Sequence, residues 1–152
     1  MSYLEQKISN LQSDQLFFTH GDLCFSNILY SKVQNQIKFV DPRGVVTAEE
    51  VFQPIEYDLC KLSQCVYDGY DWIMAQNFAP DFKQVQKNQT IVAFEGLLQD
   101  LNADQSLIAL GEASLFLSML PLHKDQPHLH EAMIHSAKEA LMRYERLQSH
   151  GH

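Results

Sequence analysis

Three polar side chains near the start of the chain have types and spacing suited to phosphoryl transfer. Asp22 is followed five residues later by Asn27, and Asp41 comes fourteen residues after Asn27. This reaction asks a protein mainly for positioning and charge stabilisation, with a base for the attacking hydroxyl and oxygen ligands for Mg²⁺. We therefore interpret Asp22 as a proton acceptor, Asn27 as a neutral oxygen ligand and Asp41 as an anionic ligand.

The residues before Asp22 predict a loop that follows a strand. Leu16-Phe17-Phe18 is an apolar, strand-like run, and Gly21 would let the backbone turn sharply beside the base. We expect His20 to brace this loop through hydrogen bonds rather than to transfer protons itself.

A hairpin is predicted to connect the two candidate metal ligands. Ile28-Leu29-Tyr30 and Ile37-Lys38-Phe39-Val40 flank the polar residues Gln34-Asn35-Gln36, which read as a turn. Such a hairpin would return Asp41 to the neighbourhood of Asn27. The alternative is that each acid or amide is only a turn residue or helix cap, where these types are common. The convergence of roles across the spaced set favours a site.

The sequence resembles the catalytic region of the aminoglycoside phosphotransferase and choline kinase family, which has a protein-kinase-like fold. His20-Gly21-Asp22 with Asn27 is similar to the family's catalytic loop, and Asp41 in Asp41-Pro42-Arg43-Gly44 is similar to its metal-binding acid. The resemblance covers residues 17–62. It implies that Asp22 is the catalytic base, that Asn27 and Asp41 bind Mg²⁺ and ATP or another nucleoside triphosphate, and that the acceptor is a hydroxyl of a small molecule.

Two further residues near the motif have expected roles. Asp58 resembles the family's later acid, which opens a helix and hydrogen-bonds back to the catalytic loop, so it implies structural support. Arg43 could contact a phosphate or an acidic substrate, or it could pair with an internal acid, and the sequence leaves both open.

The chain lacks the other half expected of such an enzyme. Only 19 residues precede His20, none of them is a glycine, and Met1–Leu11 reads as a helix without a strand around Lys7. We therefore expect a C-terminal lobe with the N-terminal lobe absent, supplied upstream or by a partner chain. Self-association through the face left open is a further expectation. The alternatives are a catalytically incomplete, pseudokinase-like binding or scaffold module and a helical interaction protein with a chance motif.

Length and composition predict one folded domain spanning residues 1–152. The hydrophobic content is 45% and the net charge is −8, which disfavours nucleic acid or an anionic membrane as a partner. No stretch reads as a membrane span or signal peptide. Three cysteines without paired spacing predict reduced thiols, so we expect a cytoplasmic protein.

After the motif the pattern predicts an α+β, mostly helical chain, a kinase-like C-terminal lobe with short β-hairpins. Asp58 is expected to cap a first helix that Gly69 bends or interrupts, and Asp104 to cap a third. A second helix is expected from Pro80-Asp81 to Leu101. The third, over residues 107–120, should pack closely at Gly111. The last, over residues 131–148, should turn these side chains inward: Met133, Ile134, Ala137, Leu141 and Tyr144.

Aromatic and acidic residues follow the motif closely. Tyr67 and Tyr70 with Asp68 and Asp71 could receive a cationic substrate by charge and ring-face attraction. The alternative is ordinary core packing of the rings with both carboxylates solvated. The histidines of the last thirty residues are interpreted as a solvated loop and tail rather than a metal site.

Overall fold

Two short antiparallel strand pairs precede a helical body. The computed structural model describes residues 16–75 and 83–150. Strand β1 (Phe17–Phe18) pairs with β4 (Phe52–Gln53), and β2 (Ile28–Ser31) pairs with β3 (Gln36–Phe39). The predicted hairpin is therefore confirmed, but its turn begins earlier than expected and Gln36 lies in a strand, paired with Ser31.

The helical body confirms the α+β, mostly helical class. Its helices in the described residues are α1 (Glu56–Tyr67), α2 (Tyr70–Met74), α3 (Lys83–Asp100), α4 (Gln105–Met119) and α5 (His130–His150). The helix expected over Met1–Leu11 and the start expected at Pro80-Asp81 lie outside the described residues. No described helix is long and apolar enough to cross a membrane.

Helix α4 packs against both α1 and α5 and forms the centre of the body. Phe116 and Ile108 are among its fully buried side chains. Gly111 faces Cys60 of α1 so closely that a Cβ at position 111 would overlap the Cys60 sulfur. The predicted close helix contact at Gly111 is thus confirmed. All three cysteines are free and buried, as expected.

The first helix differs from its predicted form at its start but not at its end. It begins at Glu56, with Ile55 at the N-cap, so Asp58 lies in its first turn and the prediction that Asp58 caps it was wrong. Its carboxylate is instead used outside the helix. At the other end, Gly69 has φ +67 and separates α1 from α2, which confirms the expected interruption.

The last two helices lie where the sequence predicts them, but the predicted buried face of the last helix was partly wrong. Asp104 caps α4 by accepting hydrogen bonds from Ser106 N and Leu107 N, as expected. In α5, however, Ile134 and Leu141 are 38% and 37% exposed, so the prediction that they face inward was wrong. The buried stripe is formed by Met133, Ser136, Ala137 and Ala140. Three of these four are small, which allows α5 to pack closely.

The β region leaves an apolar surface exposed. Phe18 is 77% exposed, and Ile37 and Phe39 are 60% and 61% exposed. Isolated exposed apolar residues are normal on proteins, but a contiguous set marks an interaction site or an aggregation risk. Tyr30, Ile37 and Phe39 lie on one side of the β2–β3 hairpin, since Tyr30 pairs with Ile37 and strand positions alternate in direction, and we call these three exposed residues the β face.

Candidate functional site

Asp58 holds the loop that carries the candidate base. Its two carboxylate oxygens accept hydrogen bonds from His20 N at 2.7 Å and from Gly21 N at 2.8 Å. Asp58 is buried, so these two main-chain amides have a charged partner in place of water. Asp58 therefore ties the loop to α1 through two main-chain amides.

Gly21 is required by two features of the loop. Its φ is +75, a left-handed conformation that strongly favours glycine. A Cβ at this position would also lie 2.7 Å from the Cβ of Arg43. Arg43 approaches this closely because its main-chain N–H donates to the His20 carbonyl at 2.9 Å. The loop and the segment after β3 thus lie in contact.

His20 links the same two segments through its ring. Its Nε2 lies 3.0 Å from the Val40 carbonyl oxygen, and its Nδ1 accepts a hydrogen bond from Asp22 N at 3.3 Å. One neutral tautomer, with the proton on Nε2, satisfies both contacts. The ring therefore braces the backbone beside Asp22 and beside Asp41.

The hairpin brings the two candidate metal ligands to neighbouring backbone positions. Val40 N, one residue before Asp41, donates to the Asn27 carbonyl at 3.0 Å. The Asn27 side-chain amide nitrogen donates to the Asp22 carbonyl at 2.9 Å and approaches Asp22 Oδ2 at 3.4 Å. Asn27 therefore uses its nitrogen toward Asp22 and keeps its side-chain oxygen for another partner.

Asp41 has an unusual backbone conformation. Its φ is +55, and it is exposed. Aspartate tolerates this region better than most residues, but it still costs about 1 kcal/mol or more in backbone strain. Within the described residues the Asp41 carboxylate accepts no hydrogen bond. Such strain persists when surrounding structure fixes it, and it is enriched at binding sites.

These donors fit Mg²⁺ bound together with phosphates. Mg²⁺ commonly takes one or two carboxylates, keeps several waters and completes its shell with substrate phosphate oxygens. Asp41 offers an anionic oxygen and Asn27 a neutral one, and both face no competing hydrogen-bond donor among the described residues. The described part of the chain contains no cluster of three or more His, Cys, Asp or Glu side chains that could hold a metal alone.

Lys61 is a member of the site that the sequence analysis missed. Its Nζ lies 2.9 Å from Asp22 Oδ1, and its side chain is only 13% exposed. Burial alone would lower the pKa of Lys61, but the hydrogen bond and the charge of Asp22 outweigh it, so the pKa is raised. Lys61 follows Asp58 by three positions in α1 and so lies on the same side of the helix. That spacing is the signal that could have identified it.

A cavity of about 400 Å³ opens between the loop and α2. Asp22, Asn27, Tyr70 and Asp71 contribute its polar and aromatic lining. Asp71 Oδ1 accepts a hydrogen bond from Ser26 N at 3.0 Å, while its Oδ2 is buried without a partner in the described residues. The buried Cys65 thiol also faces the Asp71 carboxylate, which contributes, after burial, to raising the pKa of Cys65. The cavity therefore has a second acidic side chain, Asp71, in its lining together with Asp22.

Asp68 matches neither role considered for it. It does not line the cavity beside the loop, and its Oδ2 is buried rather than solvated. It lies near Glu112, whose pKa is raised well above its usual value by burial and by Asp68. Ser63 and Arg143 both donate hydrogen bonds to Glu112. This polar group belongs to the packing between helices.

Arg43 forms no ion pair with any acid in the described residues. Its guanidinium carbon lies 6.0 Å from the centre of the Tyr57 ring, and its side chain is exposed. Its main-chain bond to His20 places it beside the loop. The charge of Arg43 is thus available to a ligand at this end of the site.

A comparison with known protein families, with curated proteins and with solved structures finds no match to this chain.

Proposed function

We propose that this chain is the catalytic half of a Mg²⁺- and ATP-dependent phosphotransferase that acts on a hydroxyl of a small molecule. One observation carries the proposal: Asp22, Asn27 and Asp41, which are separated in sequence, share one hydrogen-bonded scaffold. The Asn27 side-chain amide donates a hydrogen bond to the Asp22 carbonyl, and the main-chain N–H of Val40, which precedes Asp41, donates one to the Asn27 carbonyl. A set of turn residues with unrelated roles would not require these connections.

Asp22 would accept the proton of the attacking hydroxyl. Its Oδ2 lies toward Asn27 Nδ2 and its Oδ1 toward Lys61, so the carboxylate is oriented from two sides. Oriented bases contribute typically about 10²–10⁴-fold to a rate. Lys61 supplies a positive charge beside the base.

Asn27 and Asp41 would hold Mg²⁺ with the nucleotide phosphates. When bound, the metal would neutralise negative charge on the phosphates. Asp41 lies just after β3 with a strained, positive φ. Asn27 is held in place by the hydrogen bond that its side-chain amide donates to the Asp22 carbonyl. The exposed guanidinium of Arg43 lies close to the same loop and would contact a phosphate group.

The acceptor would occupy the cavity between the loop and α2. Asp71 contributes an acidic side chain to its lining, and Tyr70 presents an aromatic ring whose centre is 5.9 Å from Lys61 Nζ. A hydroxyl compound with a hydrogen-bond donor or a positive group would pair with Asp71 while its hydroxyl approached Asp22.

The fold would be a kinase-like C-terminal lobe, and the β face would receive an N-terminal lobe. Strands β2 and β3 present Tyr30, Ile37 and Phe39 on one side of the hairpin, next to the segment that carries Asp41. Covering these side chains would remove apolar area from water, at roughly 25 cal/mol per Å². The lobe would be supplied upstream or in trans.

Titration calorimetry with Mg-ATP tests the proposal. The wild-type chain should bind Mg-ATP, binding should require Mg²⁺, and Asp41→Ala should abolish it because the anionic ligand is lost. Asp125→Ala is a matched control, since Asp125 is also an exposed loop carboxylate but lies far along the chain, before α5.

The outcomes separate the proposal from its main alternative. Mg²⁺-dependent binding that Asp41→Ala abolishes and Asp125→Ala retains supports a phosphotransferase site. Adding a panel of small hydroxyl compounds then tests phosphoryl transfer. Binding of Mg-ATP without transfer to any of them would favour the pseudokinase-like binding or scaffold module. Equal binding by both variants, or none by folded wild type, would refute the assigned site.

A further inference from the structure

A second cavity lies between α1 and α4, and it shares no lining residue with the cavity beside the loop. Its volume is about 380 Å³. This volume lies within the range of about 300–1,000 Å³ that is typical of small-molecule sites. The cavity is therefore large enough for an organic ligand.

The lining of this cavity is mainly apolar and comes from three elements. β4 and the residue after it contribute one edge, the first turn of α1 a second, and α4 the opposite wall. The residues that matter here are Pro54, Glu56, Tyr57, Leu107, Ser114 and Leu115. An apolar enclosure with few polar groups is the usual chemistry of a small-molecule site.

Glu56 gives the cavity its chemical preference. Its Oε2 is buried and has no hydrogen-bond partner in the described residues. The charge of Glu56 reaches the cavity floor, because it contributes, after burial and Glu112, to raising the pKa of Cys60 to about 12. A buried carboxylate oxygen without a partner is unfavourable unless a donor or a cation satisfies it.

No cation of the protein fills this role in the described residues. Their ion pairs join Lys61 to Asp22 and Arg143 to Glu112, and neither includes Glu56. The nearby Arg43 guanidinium lies over the Tyr57 ring at 6.0 Å. The described residues therefore leave Glu56 Oε2 open to a bound molecule or to solvent.

We propose that this cavity binds a small organic amine, with its apolar body between α1 and α4 and its ammonium group against Glu56. The body would contact Leu107 and Leu115, and the ring of Tyr57 would offer a face to the cation. Binding would be noncovalent, through an ion pair and hydrogen bonds between the ammonium group and the Glu56 carboxylate. The inference is independent of the phosphotransferase proposal, since it uses other residues.

Three probes with one apolar body and different head groups test this proposal. They are naphthylmethylamine, naphthylmethanol and naphthylacetate, which carry a positive, a neutral and a negative group. Titrations of the full chain would follow backbone amide shifts by NMR. We expect saturable binding of the amine, with shifts concentrated in residues 56–60 and 107–115, and binding of the alcohol and the acid at least about tenfold weaker.

Two variants and one control locate the site. Glu56→Gln should weaken amine binding about tenfold, because it removes the charge and keeps the shape. Ser114→Phe should abolish binding of all probes by filling the cavity. Glu131→Gln is the matched control, because Glu131 also lies in the first turn of its helix but is exposed. It should leave the affinity unchanged.

Several results would overturn the proposal. They are no saturable binding of the amine to wild type, equal affinity for the three probes, shifts outside the cavity, or equal effects of Glu56→Gln and Glu131→Gln. If Ser114→Phe does not fold, the head-group comparison and Glu56→Gln decide the question alone.

Discussion

The ammonium group of Lys61 lies 2.9 Å from the carboxylate of Asp22, and the two partners differ in exposure. The Lys61 side chain is 13% exposed and the Asp22 side chain is 42% exposed. Water can therefore solvate Asp22 if Lys61 is removed, whereas Lys61 has little access to water if Asp22 is removed. This asymmetry gives a prediction that does not depend on activity.

Asp22→Asn should destabilise the chain more than Lys61→Met. Removing the carboxylate leaves a mostly buried ammonium without its counter-charge, which should cost about 2 kcal/mol. Removing the ammonium leaves a half-exposed carboxylate, which should cost less than about 1 kcal/mol. Chemical denaturation of both variants measures the free energies of unfolding. Greater destabilisation by Lys61→Met would contradict the assignment.

Asp58→Asn should loosen the loop at His20 and Gly21. An amide offers one uncharged acceptor oxygen in place of two charged ones, so the expected loss is about 2 kcal/mol. Hydrogen exchange should become faster at the amides of His20 and Gly21. The measurement is denaturation combined with exchange at these two positions.

Asp104→Asn is the matched control for Asp58→Asn. Asp104 also accepts two main-chain amides, from Ser106 and Leu107, but it does so at an exposed N-cap where asparagine caps equally well. We expect a change under about 0.5 kcal/mol. Similar losses in the two variants would argue against a special role for Asp58.

Gly111→Ala should destabilise the contact between α1 and α4, because the added Cβ would overlap the Cys60 sulfur. Overpacking of this kind costs about 1–3 kcal/mol. The double variant with Cys60→Ala should recover much of the loss, since the obstructing sulfur is gone. A double-mutant cycle on thermal unfolding tests this, and additive losses would exclude a direct contact.

Glu112 should make stability fall as the pH rises. Burial and then Asp68 raise its folded pKa above the ordinary value of 4.5, so the folded state holds a proton that the unfolded state has lost. Its stabilising contribution is complete below about pH 4.5 and is lost as the pH rises toward the raised pKa. Arg143, which opposes this shift, and Ser63 are the other groups that face it.

Glu112→Gln should flatten this pH dependence, because glutamine does not titrate. The readout is the slope of the unfolding free energy between pH 5 and neutral pH in wild type and variant. Glu131→Gln, an exposed control, should keep the wild-type slope. An unchanged slope in Glu112→Gln would show that Glu112 does not titrate in this range.

The β face should cause self-association of the chain when no other lobe covers it. Light scattering at high protein concentration should show oligomers, and replacing Ile37 and Phe39 by lysine should reduce them, because both side chains are mostly exposed. Val92 in α3 is 68% exposed, and Val92→Lys is the control that should have no effect. A monodisperse wild-type monomer would contradict this prediction.

Local signals in the sequence were sufficient for the hairpin and for two helix boundaries. Apolar runs on either side of a polar turn predicted β2 and β3, and Asp104 marked the start of α4 within two residues. Gly69 correctly predicted a break because its left-handed backbone is costly for other residues. These features depend on nearby residues, which a single sequence shows directly.

Contacts between residues that are distant in sequence were predicted less well. Lys61 was missed because its partner Asp22 is thirty-nine positions away, and its three-residue spacing from Asp58 was the only local signal that pointed to it. The burial of Asp68 depends on Glu112 in another helix. On α5 the prediction was right for Met133 and Ala137, but it chose the large Ile134 and Leu141 where close packing against α4 selected the small Ser136 and Ala140.

Paramagnetic NMR with Mn²⁺ in place of Mg²⁺, in the presence of ATP, tests the central claim most directly. If Asn27 and Asp41 hold the metal, amide resonances of residues 20–28 and 39–43 should broaden first, and Asp41→Ala should abolish the effect. Broadening centred on the histidines of residues 123–135, or none in a folded chain, would contradict the assignment of a metal–nucleotide site to this loop.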